Sequence, residues 1–178
     1  MQSRRRRMSP QSRGGSQIAG YSGTPLAKKL GIKAGHTVLL VGCPRGWAIP
    51  DLPGGTVTRR KSLATFIQEP RSRSAGSVVK SKSADVGAIA DVVVAFFASA
   101  AQLTDAVPGI ARKLNRSSAL WVAWPRRAGG HESDITDQSV RKILLPIGVV
   151  DVKVAAIDSD WSGLKFVWRK GSRPGKGG

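Results

Sequence analysis

Cysteine is almost missing from this chain: Cys43 stands alone among 178 residues. A single thiol forms no internal disulfide, so a reducing compartment and a cytoplasmic location are the defaults. Histidine is scarce as well, with two in the chain, and no Cys/His group has the spacing of a zinc site. Long apolar runs are absent. The longest, Val92 to Ala98, falls far short of the roughly 20 residues that a membrane helix needs. The run Arg4–Arg7 leads into Ser, Gln and Gly instead of an apolar stretch, which excludes an ordinary secretory signal. Acidic residues are few: 11 Asp+Glu face 29 Lys+Arg, for a formal net charge of +18.

An apolar fraction of 40% is enough to build a core, and the length suits one domain better than two. A charge of +18 suggests a polyanion partner, since basic surfaces attract phosphate at long range. Its distribution argues otherwise. Residues 1–16, 58–83 and 171–178 carry +13 of it, so the rest of the chain is only mildly basic. Residues 1–17 and 171–178 read as disordered basic tails on a single domain spanning 18–170, and residues 58–88 as a flexible basic insertion. These runs lack the interleaved aromatics used for base stacking. Weak, non-specific nucleic-acid binding through the tails is therefore the lesser expectation. Met8, just after the arginine run, offers a second start.

Along the chain, Thr24 to Gly31 has a cap-type residue, proline at the first helical position and glycine past the end, which predicts a short helix. Thr37–Gly42 is a continuous β-favouring run, as expected of a strand buried on both faces. Thr56–Thr58 predicts a brief second strand and Ala90–Ala98 a third. Leu103, Val107, Ile110, Ala111 and Leu114 mark one apolar face of a helix containing Pro108. Ala119–Trp124 is a further buried strand. Thr136 caps a helix with Val140, Ile143, Leu144 and Ile147 on its buried side, and Asp137 complements its dipole. Val152–Ile157 and Leu164–Trp168, joined by a short polar loop, predict an antiparallel hairpin. This order describes a three-layer α/β fold of reduced size, with a mostly parallel sheet, helical crossovers and an antiparallel edge.

In that order, with Lys33-x-Gly35-His36-x-Val38-Leu39-Leu40-Val41-Gly42 leading into it, the chain resembles the Rossmann-like class I S-adenosylmethionine methyltransferase fold. It looks more closely like an uncharacterised bacterial family, domain of unknown function 3052. The stretches that carry the likeness are Ala19–Ile32, Ala119–Pro125, Asp134–Thr136, Val150-Asp151-x-Lys153-Val154-x-Ala156-Ile157-Asp158 and Trp161–Leu164. The resemblance names a fold and a family without an activity. It also marks Lys61–Ala88 as a departure, because members pass from the second strand to the Asp-Val-Val run with little between.

Ligands of such sheets bind beyond the carboxyl ends of the strands, where the strand order switches. The loops there are Cys43–Trp47, Ala98–Ala100 and Trp124–Gly130. The candidate cofactor loop is Gly42, Cys43, Arg45, Gly46 and Trp47. Arg59 and Arg60 stand where an acid for the ribose hydroxyls is expected. Trp124, Arg126 and Arg127 form a candidate site for a small anion, two guanidiniums beside an aromatic. Asp158 and Asp160 read as turn residues, and His131-Glu132-Ser133-Asp134 as a polar lead-in to a helix. His36, Cys43, Tyr21, Trp47, Trp121 and Trp168 read as structural, and no catalytic residue is assigned.

The preferred expectation is a non-catalytic, methyltransferase-like binding or interaction domain with a small pocket at the strand ends, its partner a small anionic ligand or a protein. The alternative is an S-adenosylmethionine-dependent methyltransferase with an atypical cofactor loop.

Overall fold

The computed structural model describes residues 23–68, 90–127 and 132–171. The tails at 1–17 and 172–178, most of the basic insertion, Tyr21 and His131 lie outside the described residues. Six strands form one sheet: β1 (Thr37–Val41), β2 (Val57–Lys61), β3 (Val92–Phe96), β4 (Ala119–Pro125), β5 (Val149–Ala156) and β6 (Trp161–Trp168). Their spatial order is β2-β1-β3-β4-β6-β5. The first four run parallel, and β6 lies antiparallel between β4 and β5. This is the expected α/β sheet with an antiparallel edge.

The parallel strands are apolar at consecutive positions because both of their faces are covered. Leu39, Val41, Val93, Ala95, Leu120 and Val122 point to one side, where they meet α2 (Leu63–Gln68), α3 (Ala100–Lys113) and α4 (Asp137–Leu144). Val38, Leu40, Val92, Val94, Phe96 and Trp121 point to the other side, which is closed by α1 (Leu26–Leu30) together with Ile49 and Leu52. Trp121 is fully buried, and its Nε1–H donates to Leu30 O at 3.0 Å, which fixes the end of α1 on the sheet.

Both ends of α1 differ in kind. Gly31 closes it in the left-handed conformation at φ 78, as its place past the last turn suggests. At the start, Pro25 is the cap residue and no side chain caps the helix, so Thr24 does not take the expected capping role. The helix Ala100–Lys113 runs through Pro108, and its buried face is Leu103, Ala106, Gly109, Ile110 and Lys113. Ala111 is only half-buried. Thr136 caps α4 by accepting from Ser139 N–H at 3.1 Å, and Ser139 Oγ accepts from Thr136 N–H at 2.8 Å. The reciprocal pair satisfies two amide donors that the first turn would otherwise leave open.

Two elements lie where the sequence suggests an insertion. Residues 58–61 complete β2, paired in register with Val38–Val41, and residues 63–68 form α2. Phe66 of α2 is 1% exposed. The helix closes on α3 because Gly109 has no side chain: a Cβ there would lie 3.2 Å from Ile67 Cα. Lys113 is buried and donates its Nζ to Phe66 O while lying 4.7 Å from the centre of the Phe66 ring. An ammonium at a helix C-terminus suits the open carbonyls there.

Among the described residues, no helix is long and apolar enough to cross a membrane.

Candidate functional site

The chain leaves β1 in one direction to reach β2, then returns across β1 to β3. The strand order therefore switches between β1 and β3, and their carboxyl ends, Val41 and Phe96, flank the crevice. Gly42 begins the loop there at φ 60, and a Cβ on it would lie 3.0 Å from Phe96 O. Only glycine lets the two strand ends approach this closely.

From this point the loop departs from expectation. The connection from β1 to β2, residues 42–56, contains no helix. Cys43 does not sit at a helix start, and the crossover that sequence order suggests is built from turns. Proline at 44, 50 and 53 and glycine at 42, 46, 54 and 55 leave too few consecutive residues for a helix. The amide donors and positive dipole end that hold a phosphate or ribose-linked group in dinucleotide folds are consequently missing here.

What the loop supplies instead is Trp47. Its ring meets Phe96 edge-on, with centroids 4.8 Å apart at 69°, and Phe96 meets Trp161 at 4.9 Å and 82°. Trp47 Nε1–H donates to Asp158 Oδ2 at 2.6 Å. Asp158 Oδ1 accepts from the backbone N–H of Asp160 and of Trp161, each at 2.8 Å. One carboxylate thus caps the β5–β6 turn and anchors the β1 loop to it. From the other side Arg60, on β2, donates to Cys43 Sγ at 2.9 Å and to Trp47 O.

Between α1, this loop and the hairpin lies a cavity of about 420 Å3 whose wall includes Pro25, Leu26, Trp47, Pro50, Asp51 and Asp158. A neighbouring groove of about 510 Å3 shares Pro25 and Asp51 and is lined also by Lys28 and Lys33. Asp51 is the one non-glycine residue among those described with positive φ, at 53. Aspartate tolerates that conformation better than most side chains.

The candidate residues therefore part company. Trp47 lines the cavity, and Gly42 permits the close strand approach. Cys43 is engaged by Arg60, while Arg45 and Gly46 are exposed on the loop. Trp124 is 7% exposed and packs in the core under α3 and α4. Arg126 donates to Asp158 O at 3.1 Å, and Arg127 is exposed, so the Trp124 ring does not share a pocket with them. Ser133 and Asp134 bind the backbone of Ala98 and Ala100 and tie the loop after β3 to the approach to α4. Asp51 and the N-terminal end of α1 are the cavity residues that motif spacing did not single out. The interrupted Pro50-Asp51-x-Pro53 run was the available signal, a turn that holds one charged side chain in place.

No family model and no curated protein matches the chain. Solved structures do resemble it. The structure of LepI in complex with SAM aligns with TM-score 0.50 and 12% identity over 88% of this chain, which spans half the length of that one. Ribosomal protein L11 methylase from Lactobacillus delbrueckii subsp. bulgaricus aligns with TM-score 0.49 and 16% identity, covering 81% of this chain and 75% of the other. A SAM dependent methyltransferase from Aquifex aeolicus aligns with TM-score 0.48 and 14% identity, covering 79% and 86%. At these identities the likeness concerns architecture alone: the chain has the methyltransferase-like, Rossmann-like α/β fold.

Proposed function

We propose that this protein is an S-adenosylmethionine-dependent methyltransferase with an atypical cofactor loop, from the bacterial family of unknown function 3052 that its sequence resembles. The observation that carries the reading is a cavity of about 420 Å3 beside the strand-order switch, walled by the loop that follows β1. Ligands of open α/β sheets bind in that place.

The side chains fit one part of the cofactor and not the other. S-adenosylmethionine carries a sulfonium and an ammonium, and Asp51, Asp158 and the Trp47 ring suit positive charge. Its ribose ordinarily meets an acid after the second strand, where this chain has Arg59, Arg60 and Lys61. Recognition therefore rests on the cationic part. When bound, the cofactor supplies an electrophilic methyl group. The protein's share is to hold that charge between carboxylates and to shield it from water with Trp47, Pro25 and Leu26.

A second reading is a binding domain without catalysis. It is favoured by Arg60, whose guanidinium occupies the sugar side of the loop and fastens Cys43 and Trp47 in place. Isothermal titration of the full chain with S-adenosylmethionine and S-adenosylhomocysteine separates the two. Saturable, micromolar binding of the first is expected. An absence of heat up to millimolar concentrations overturns the methyltransferase reading and leaves the binding domain.

A further inference from the structure

We infer that the cavity beside Trp47 selects a small organic cation, an alkylammonium or sulfonium, over a neutral group of the same shape. The inference rests on this cavity being the ligand site, and it adds the chemical class that the site accepts.

Charge carries the case. The chain as a whole has a formal charge of +18, yet the described residues that wall this cavity include two aspartates and no lysine, arginine or histidine. A site of opposite sign to its protein repels the anions that the rest of the surface attracts. Asp51 is exposed and has no ion partner among the described residues. Asp158 spends its lone pairs on Trp47, Asp160 and Trp161 but keeps its negative charge, and those three bonds hold the carboxylate still.

The aromatic wall points the same way. An indole face attracts an ammonium or sulfonium within about 6 Å of its centre, more strongly when water is excluded. Trp47 is fixed at its Nε1 by Asp158 and at its ring by Phe96. Such an aromatic costs little entropy on binding because it is ordered beforehand. Lys28 and Lys33 line the adjoining groove beyond Pro25 and Asp51. They leave Asp158 wholly to the first cavity, so the negative end of the site lies against Trp47.

The test uses the full chain and two probes of nearly identical shape, choline and its neutral isostere 3,3-dimethylbutan-1-ol, titrated by calorimetry. Choline should bind about tenfold more tightly than the alcohol, the ratio expected of one cation–π contact with a nearby carboxylate. Asp51→Asn keeps a residue that accepts positive φ and should weaken choline binding several-fold while leaving the thermal transition and the alcohol's binding unchanged. Equal affinity for the two probes, no binding of either, or an unaffected Asp51→Asn variant overturns the inference.

Failure of the methyltransferase reading looks different. If choline binds with the stated preference and S-adenosylmethionine does not bind, the cation site stands and that reading falls. If S-adenosylmethionine binds equally to wild type and to Asp51→Asn and choline shows no preference, the reverse holds.

Discussion

The indole N–H of Trp47 donates to the Asp158 carboxylate at 2.6 Å, joining two loops that are 111 residues apart in sequence. One loop follows the first parallel strand and the other turns the C-terminal antiparallel hairpin. Their contact builds the wall of the candidate site, so the antiparallel edge of the sheet helps shape the end at which parallel strands bind ligands.

Removing the acceptor tests this tie. Asp158→Ala leaves the donors of Trp47, Asp160 and Trp161 without their partner and should cost roughly 2–3 kcal/mol. Trp47→Phe removes one of the three and should cost about 1–2 kcal/mol. Urea melts of both variants and the double variant give the coupling. Additive effects would show that Trp47 and Asp158 do not act together.

Two glycines separate steric from conformational cost. A Cβ on Gly163 would lie 2.6 Å from Ile157 Cδ1 and 3.2 Å from Trp121 Cε3, so Gly163→Ala should cost roughly 1–3 kcal/mol by overpacking. Gly46 has open space around it but φ 77, so Gly46→Ala should cost about 1–2 kcal/mol from backbone strain alone. Thermal melts check both. An unchanged Gly163→Ala would mean that the β6 face under Trp121 is looser than described.

The ion pairs of α4 give a pH signature. Arg141 donates to Asp137 at 2.5 Å and to Asp151 at 2.8 Å. The hydrogen bond from Arg141, more than the charge itself, holds the Asp151 carboxyl below its ordinary value. A lowered folded pKa stabilises the protein above the unfolded carboxylate value of about 4, and that contribution is lost as pH falls through the folded value. The melting temperature of wild type should therefore exceed that of Asp151→Asn near neutral pH and converge with it in strong acid. The gap is small and shrinks with salt, as for any surface pair. A gap that persists in acid would contradict the assignment.

Phe66 tests the segment after β2. Its ring is 1% exposed beneath α3, so Phe66→Ala should cost about 3–5 kcal/mol in a chemical melt. A solvated insertion would lose less than about 0.5 kcal/mol at this position.

That segment also shows where the sequence was legible. Val38–Val41, Val92–Phe96 and Leu120–Trp124 are buried on both faces, so their apolar runs read directly as parallel strands. Thr136 and the glycine at 31 punctuate their helices as written. β2 left no such mark. It is an edge strand whose residues Val57–Arg60 are exposed, and its Arg59-Arg60-Lys61 run reads as a charged loop until β1 supplies the backbone partners.

The site was legible by place and less so by residue. Loop position pointed to Cys43–Trp47, but local spacing carries no trace of Asp158 meeting Trp47, because that contact depends on β6 lying beside β4. Trp124 and Arg126 are neighbours in sequence that the pleat sends apart, the tryptophan into the core under the helices.

The central claim is that a ligand of the S-adenosylmethionine class binds against Trp47 at the strand ends. The most direct measurement follows the indole N–H resonances of 15N-labelled full chain during titration with S-adenosylmethionine, the Trp47 signal being identified by its loss in Trp47→Phe. The account predicts a saturable shift of the Trp47 resonance, weakened by Asp51→Asn, while Trp121, bonded to Leu30 in the core, stays in place. A Trp47 resonance that does not move as ligand is added would contradict it.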